Sequence, residues 1–193
     1  ALWPDADGDA AHSALSTTIQ RLRLLMGDAR AIQVKEGRVS LDPRYCYVDV
    51  WAFEHILGEA DSAWKMEEID KAIQLTERAI ALYNGEFLHG DTGEPWTVSM
   101  RERLRSKFIR SLSRLGHYYQ EKGPWDMAIE CYQKGLEVDE LSEEFYRSLM
   151  TCYRESGRMS EAISVYNRCK KTLFAMLGIE PSSKTEAVYK SLR

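Results

Sequence analysis

The sequence predicts a mainly α-helical chain in which an array of helical repeats follows a short helix-plus-β-hairpin unit. Three observations carry that expectation. Residues 12–26 form an amphipathic stretch, and two short strand-like runs around a Glu-Gly pair come after it. Helical periodicity then extends from about Val50 to the end, and a 34-residue repeat appears in the second half. With 44% hydrophobic and 29% charged residues, and only 12 Gly and 5 Pro among 193, the composition is that of a chain with a core to bury.

In HSALSTTIQRLRLLM, Leu15, Ile19, Leu22 and Met26 fall on one helical stripe, with Ser13, Ser16, Thr17 and Gln20 on the opposite side. Arg21 and Arg23 flank the stripe, and Gly27 is a natural C-terminal stop. Two strands are expected at Ala31–Lys35 and Arg38–Leu41, where Gly37 supplies the positive φ of a tight turn. A helix followed by a hairpin is the local grammar of a winged helix, and Asp42-Pro43 closes the unit.

Beyond Val50 the breaks are expected at Gly58, Asn84-Gly85, Gly90–Pro95, Gly123-Pro124, Gly157 and Gly178. Leu115 and Leu149, Tyr119 and Tyr153, Ala128 and Ala162, and Tyr132 and Tyr166 are each 34 residues apart. Aromatics on one helix and a small Ala on the next, at this period, mark tetratricopeptide-like repeats. The Ala lets antiparallel helices approach, and the aromatics fill the gaps between successive pairs. Phe53–Leu82 reads as a degenerate earlier unit with Ala72 and Ala79 in the small positions. A last helix is expected after Pro181, with Ser183 and Glu186 as a capping box and its body covering the end of the array. Trp3, Trp51, Trp64, Trp96 and Trp125 are expected as anchors at helix and domain junctions.

The net charge of −4 hides an asymmetry. Residues 1–11 carry Asp5, Asp7 and Asp9, whereas residues 12–48 hold six basic against three acidic side chains, a net of +3. A basic element on an acidic body suits a local contact with phosphate. The four cysteines (46, 131, 152, 169) form no CxxC pair and read as reduced, buried thiols; the four histidines make no HxxxH spacing. No nucleophile–base set, phosphate-cradling glycine loop or metal-ligand spacing emerges, so the expectation is a non-enzyme without cofactor or metal. No apolar run reaches the roughly 18 to 20 residues that span a bilayer, and a cytoplasmic protein is expected. The opening ALWPDADGD reads as a start inside a longer protein.

YNGEFL at 83–88, the EPW ending at Trp96, RERL at 101–104, VDELSEE at 138–144, ESGRMSEAISVY at 155–166 and LGIEPS at 177–182 together resemble the bacterial transcriptional activation domain of streptomycete-type antibiotic-regulatory activators. Asp139-Glu140 stands where that family usually has Asp-Pro. The N-terminal LWPD, ALSTTIQRLRLLMG, GRVSL and VDVWAFE resemble the later part of the winged-helix domain that precedes it, similar to the response-regulator output domain. The resemblance divides the chain into residues 1–48, the end of a winged helix lacking its first strands and helix, and residues 49–193, the helical domain.

It implies a DNA-binding activator with residues 12–26 as recognition helix and 32–41 as wing. Ser13, Ser16, Thr17 and Gln20 are then the base-facing candidates, since short polar side chains and amides read base edges in the major groove. Arg21, Arg23 and Arg38 are the phosphate candidates, which set register rather than sequence. In the array, Arg110, Ser113, His117, Arg147, Thr151 and Arg154 are expected on the concave face. There they would form a groove for an acidic peptide or a partner's charged segment. RNA polymerase, a further copy of the chain, and a peptide or small-molecule effector are the other partners considered. The rival reading is a repeat scaffold that binds proteins and no DNA.

Overall fold

The computed structural model describes residues 7–91 and 95–192. The chain divides into two compact units, Ala1–His55 and Ile56–Arg193.

In the first unit, α1 (Gly8–Met26) begins four residues before the expected start, because the Asp7 carboxylate caps it by accepting from the Ala10 amide at 2.8 Å. Gly27 ends it in the left-handed region, φ 72°. A 3-10 turn, Ala29–Ala31, leads into β1 (Ile32–Lys35), which pairs antiparallel with β2 (Arg38–Leu41). Val34 faces Val39 and Lys35 faces Arg38 in the register. Glu36 (φ 51°) and Gly37 (φ 72°) are both left-handed, as a type I′ turn requires. Ile19, Ala31 and Ile32 are buried. Leu22 and Met26, expected to continue the buried stripe, are instead exposed, and Leu24 and Leu25 are 82% exposed each.

The remaining helices are α2 (Asp49–Lys65), α3 (Ile69–Leu82), α4 (Pro95–Lys122), α5 (Trp125–Val138), α6 (Glu143–Glu155), α7 (Met159–Leu177) and α8 (Ser183–Lys190). Every residue of the 34-residue pairs is buried: Leu115 and Leu149, Tyr119 and Tyr153, Ala128 and Ala162, Tyr132 and Tyr166. Ala72, Ala128 and Ala162 are each the fourth residue of the second helix in their pair, and each is fully covered. The degenerate first unit is therefore built on the same plan. Closeness is taken further at two glycines: a Cβ at Gly116 would lie 2.7 Å from the Tyr132 ring, and one at Gly135 would lie 2.4 Å from that of Phe145.

Three expectations are corrected. Gly58 is no break; α2 passes through it, because Phe53, Ile56, Leu57, Ala60 and Ala63 form a buried stripe that outweighs the roughly 1 kcal/mol cost of an interior Gly. The turn comes after Lys65, with Glu67 left-handed at φ 59°, in the position that Gly123 and Gly157 hold in the next two pairs. The capping box does not form: Ser182 is the N-cap of α8, and Glu186 accepts from the Tyr166 hydroxyl instead. Trp64 is an anchor, donating to Thr76 at 3.3 Å and lying under the Arg114 guanidinium, but Trp96 is 62% exposed and Trp51 is also exposed. Trp3, Asp5 and Gly93 lie outside the described residues.

Candidate nucleic-acid interface

Residues 13, 16, 17 and 20 stand at i, i+3, i+4 and i+7 of α1, which puts them on one face. Ser13, Ser16, Thr17, Gln20 and Arg21 are all exposed, while Ile19 behind them is buried. The Thr17 hydroxyl donates to the Ser13 carbonyl at 3.0 Å, so it is left to accept rather than donate outward.

Half of the six basic side chains in this unit are engaged inside it. Arg23 donates through Nε and Nη2 to the Ile32 carbonyl, at 3.1 and 2.8 Å, and so ties the end of α1 to the first strand. Arg30 pairs with Asp28 at 2.7 Å and lies 4.2 Å from the Tyr45 ring centroid. Arg44 pairs with Asp42 at 2.7 Å. Arg44, helped by its backbone amide and by Gln33, holds the Asp42 carboxyl down at about 2. Asp42 also closes the hairpin, since its amide donates to the Ala31 carbonyl at 2.9 Å. Arg21, Lys35 and Arg38 are exposed and make no ion pair among the described residues. Lys35 and Arg38 face each other across the hairpin tip. Sequence reasoning missed Lys35 as a phosphate candidate, although its place beside the Glu-Gly turn marked it as the neighbour of Arg38.

The candidate groove of the array is not one surface. Arg110 and His117 of α4 are exposed, His117 lying 3.3 Å from Glu121. Ser113 donates to Glu144 of α6 at 3.1 Å. Arg147 and Arg154 serve α8 instead: Arg147 donates to the Thr185 hydroxyl at 3.1 Å and Arg154 to the Ser191 hydroxyl at 2.9 Å. Ser182 donates through its amide and hydroxyl to Glu143, at 2.8 Å each. Thr151, between them, donates back to the Arg147 carbonyl at 3.0 Å. Helical spacing places 147, 151 and 154 on one stripe, but spacing does not say which neighbour that stripe meets; Arg147 and Arg154 meet α8. On α7, the Tyr166 ring stacks on Tyr189 of α8 at 3.8 Å. The Glu186 carboxylate, together with burial, pushes the Tyr166 phenol up to about 12.

A cavity of about 240 Å³ opens between α3, α4 and α5. Its lining includes buried Ile80, Leu112, Leu115 and Tyr119, with exposed Glu77, Glu130 and Lys134. Burial pushes the Cys131, Cys152 and Cys169 thiols up to about 12, which leaves them protonated and unreactive in the folded state. Among the described residues no helix is long and apolar enough to cross a membrane.

A capped helix with an open polar face, a hairpin with a basic tip and a stacked-helix array define a class by fold: a mainly helical chain with a tetratricopeptide-like domain. The family model of the bacterial transcriptional activator domain matches residues 48–193, and the chain belongs to that family. The regulatory protein AfsR of Streptomyces coelicolor is 25% identical over 94% of this chain, which spans 18% of AfsR. The regulatory protein DnrI of Streptomyces peucetius is 28% identical over 96% of this chain and 72% of its own length. In fold, the whole chain superposes on 52% of Mycobacterium tuberculosis EmbR, solved in complex with a low-affinity phosphopeptide, with a TM-score of 0.72 at 20% identity. The chain thus spans less than a fifth of the length of AfsR, and it is a member of a family of transcriptional regulators.

Proposed function

We propose that this chain is the DNA-reading and assembly part of a cytoplasmic transcription activator, divided at about residue 48 into the end of a winged helix and an activator domain. The observation that carries the proposal is the joint exposure of Ser13, Ser16, Thr17, Gln20 and Arg21 on one face of α1, next to a hairpin with Lys35 and Arg38 at its tip. In this reading α1 enters the major groove. Gln20 is the strongest base reader, because an amide both donates and accepts and pairs bidentately with adenine. Ser13, Ser16 and Thr17 contribute single hydrogen bonds, Thr17 as an acceptor. Arg21 and Arg38, with Lys35, meet phosphates, and Arg23 orients the hairpin from inside. Leu24, Leu25, Val34 and Val39 are exposed apolar side chains of the same unit.

In the array, Arg110 and His117 are the remaining candidates for a partner's acidic segment, whether that partner is RNA polymerase or a second protomer on tandem sites. Arg147 and Arg154 hold the terminal helix in place.

The test is a gel-shift titration of the full regulator on its own promoter region across a salt series. Arg21→Ala and Arg38→Ala are each expected to flatten the salt slope by about 0.9 and to weaken all sequences alike. Gln20→Ala is expected to cost about 1–3 kcal/mol at the preferred site and to relax its preference. Equal affinity for all sequences in wild type and Gln20→Ala, with no salt dependence, would leave only the scaffold reading.

A further inference from the structure

We propose that the cavity between α3, α4 and α5 is a binding site for a small, largely apolar amine. The cavity volume of about 240 Å³ exceeds the roughly 150 Å³ of an apolar cavity that takes up benzene, so an aromatic ring with a short chain fits it. The accessible apolar lining is Ala81 and Met127, over a floor of buried Ile80, Leu112 and Leu115. Tyr119 lines the cavity with an aromatic ring, a surface that attracts a cation as well as apolar matter.

The exposed part of the lining selects the charge. Glu77, Glu130 and Lys134 together carry one net negative charge, and Glu130 and Lys134 stand four residues apart on α5. Glu77 of α3 accepts a hydrogen bond from the Tyr119 hydroxyl at 2.8 Å. A carboxylate has about four acceptor positions, and Tyr119 uses one, so an ammonium group finds a fixed and partly satisfied partner. Preorganised polar groups at the edge of an apolar pocket are the common design of small-molecule sites. The cavity is walled by helices from two successive repeat pairs, so an occupant would lock one pair against the next. The inference stands apart from the DNA-binding reading, since it concerns residues 77–134 alone.

The experiment is a calorimetric and NMR titration of the 193-residue protein with 2-phenylethylamine, 3-phenylpropionate and ethylbenzene as probes. The amine is expected to bind, with shifts at the amides of Ile80, Leu115 and Met127, and the acid at least about tenfold more weakly. Glu77→Gln keeps the acceptor for Tyr119 but removes the charge; it should weaken the amine about tenfold and leave ethylbenzene unchanged. Ala81→Phe, at an exposed position of the same wall, should abolish both while the circular dichroism stays native. The proposal is overturned if the acid binds as tightly as the amine, if Glu77→Gln leaves amine affinity intact, or if no probe shifts these amides at millimolar concentration.

Discussion

The helix–hairpin unit and the helical array use similar apolar residues to different ends. In the array, Leu112, Leu115, Phe145, Tyr146, Leu149, Met150 and Leu173 are almost wholly covered, and glycines at 116 and 135 let aromatic rings touch backbone. Among the described residues of the helix–hairpin unit, Ile19, Ala31 and Ile32 are the buried apolar ones up to the hairpin, while Leu22, Leu24, Leu25, Val34, Val39 and Leu41 are exposed. Burial contributes roughly 25 cal/mol per Å², so the array draws on a core, whereas the smaller unit relies on polar ties. Those ties are the Asp7 cap, Arg23 on the Ile32 carbonyl, and Asp42 with Arg44 and Gln33. One region is held by packing, the other by hydrogen bonds.

The contrast is sharpest at the closest contact of the array. Gly135→Ala forces a methyl against the buried Phe145 ring and should cost the array about 1–3 kcal/mol in urea melts. Gly58→Ala, where nothing lies within 4 Å, should instead stabilise α2 by about 1 kcal/mol. A loss at both positions would mean that α2 is as tightly packed as α5.

Next in size is the turn of the first pair. Glu67 adopts the left-handed backbone that Gly123 and Gly157 adopt without side-chain cost, so Glu67→Gly should raise stability by roughly 1 kcal/mol. A neutral result would show that the first pair has relieved the strain elsewhere. Tyr146→Phe removes the one buried hydroxyl among the described residues without a hydrogen-bond partner, and should leave stability unchanged or slightly higher.

The helix–hairpin unit responds to turn chemistry and pH. Glu36→Asn makes the Asn-Gly pair that type I′ turns favour and should stabilise the hairpin by roughly 0.5 kcal/mol, read as slower amide exchange at Ile32–Leu41. The last effect is electrostatic. Asp42 is held at about 2 in the folded chain, against about 3.9 for a free aspartate. Because its folded value is the lower one, its stabilisation is complete above about pH 4. It drains away as pH falls toward about 2. Hairpin amides should therefore exchange faster across that window while the array core stays protected. Protection of the hairpin that persists to pH 2 would show that Asp42 and Arg44 contribute nothing.

Helix α1, the hairpin and its Glu-Gly turn were legible because local chemistry dominates there: a stripe of period 3.6, a left-handed Gly, and alternating short strands. The repeat pairs were legible because Ala72, Ala128 and Ala162 must be small wherever two helices cross closely. Gly58 misled because propensity is weak against a buried stripe, and Glu67 was invisible because nothing in a Glu side chain announces a left-handed turn. The capping box at Ser183 failed because Glu186 had a better partner, Tyr166, on another helix.

By itself the sequence determined periodicity and turns: the helices, the hairpin, the 34-residue repeat and the polar face of α1 are all set by residues close to one another along the chain. Only the tertiary structure decided what each stripe meets. It gave Arg147 and Arg154 to α8, Arg23 to the Ile32 carbonyl, and opened a cavity beside Glu77 and Tyr119. Partners brought together across 38, 37 and 42 residues are chosen by how helices dock, and no local pattern encodes that choice.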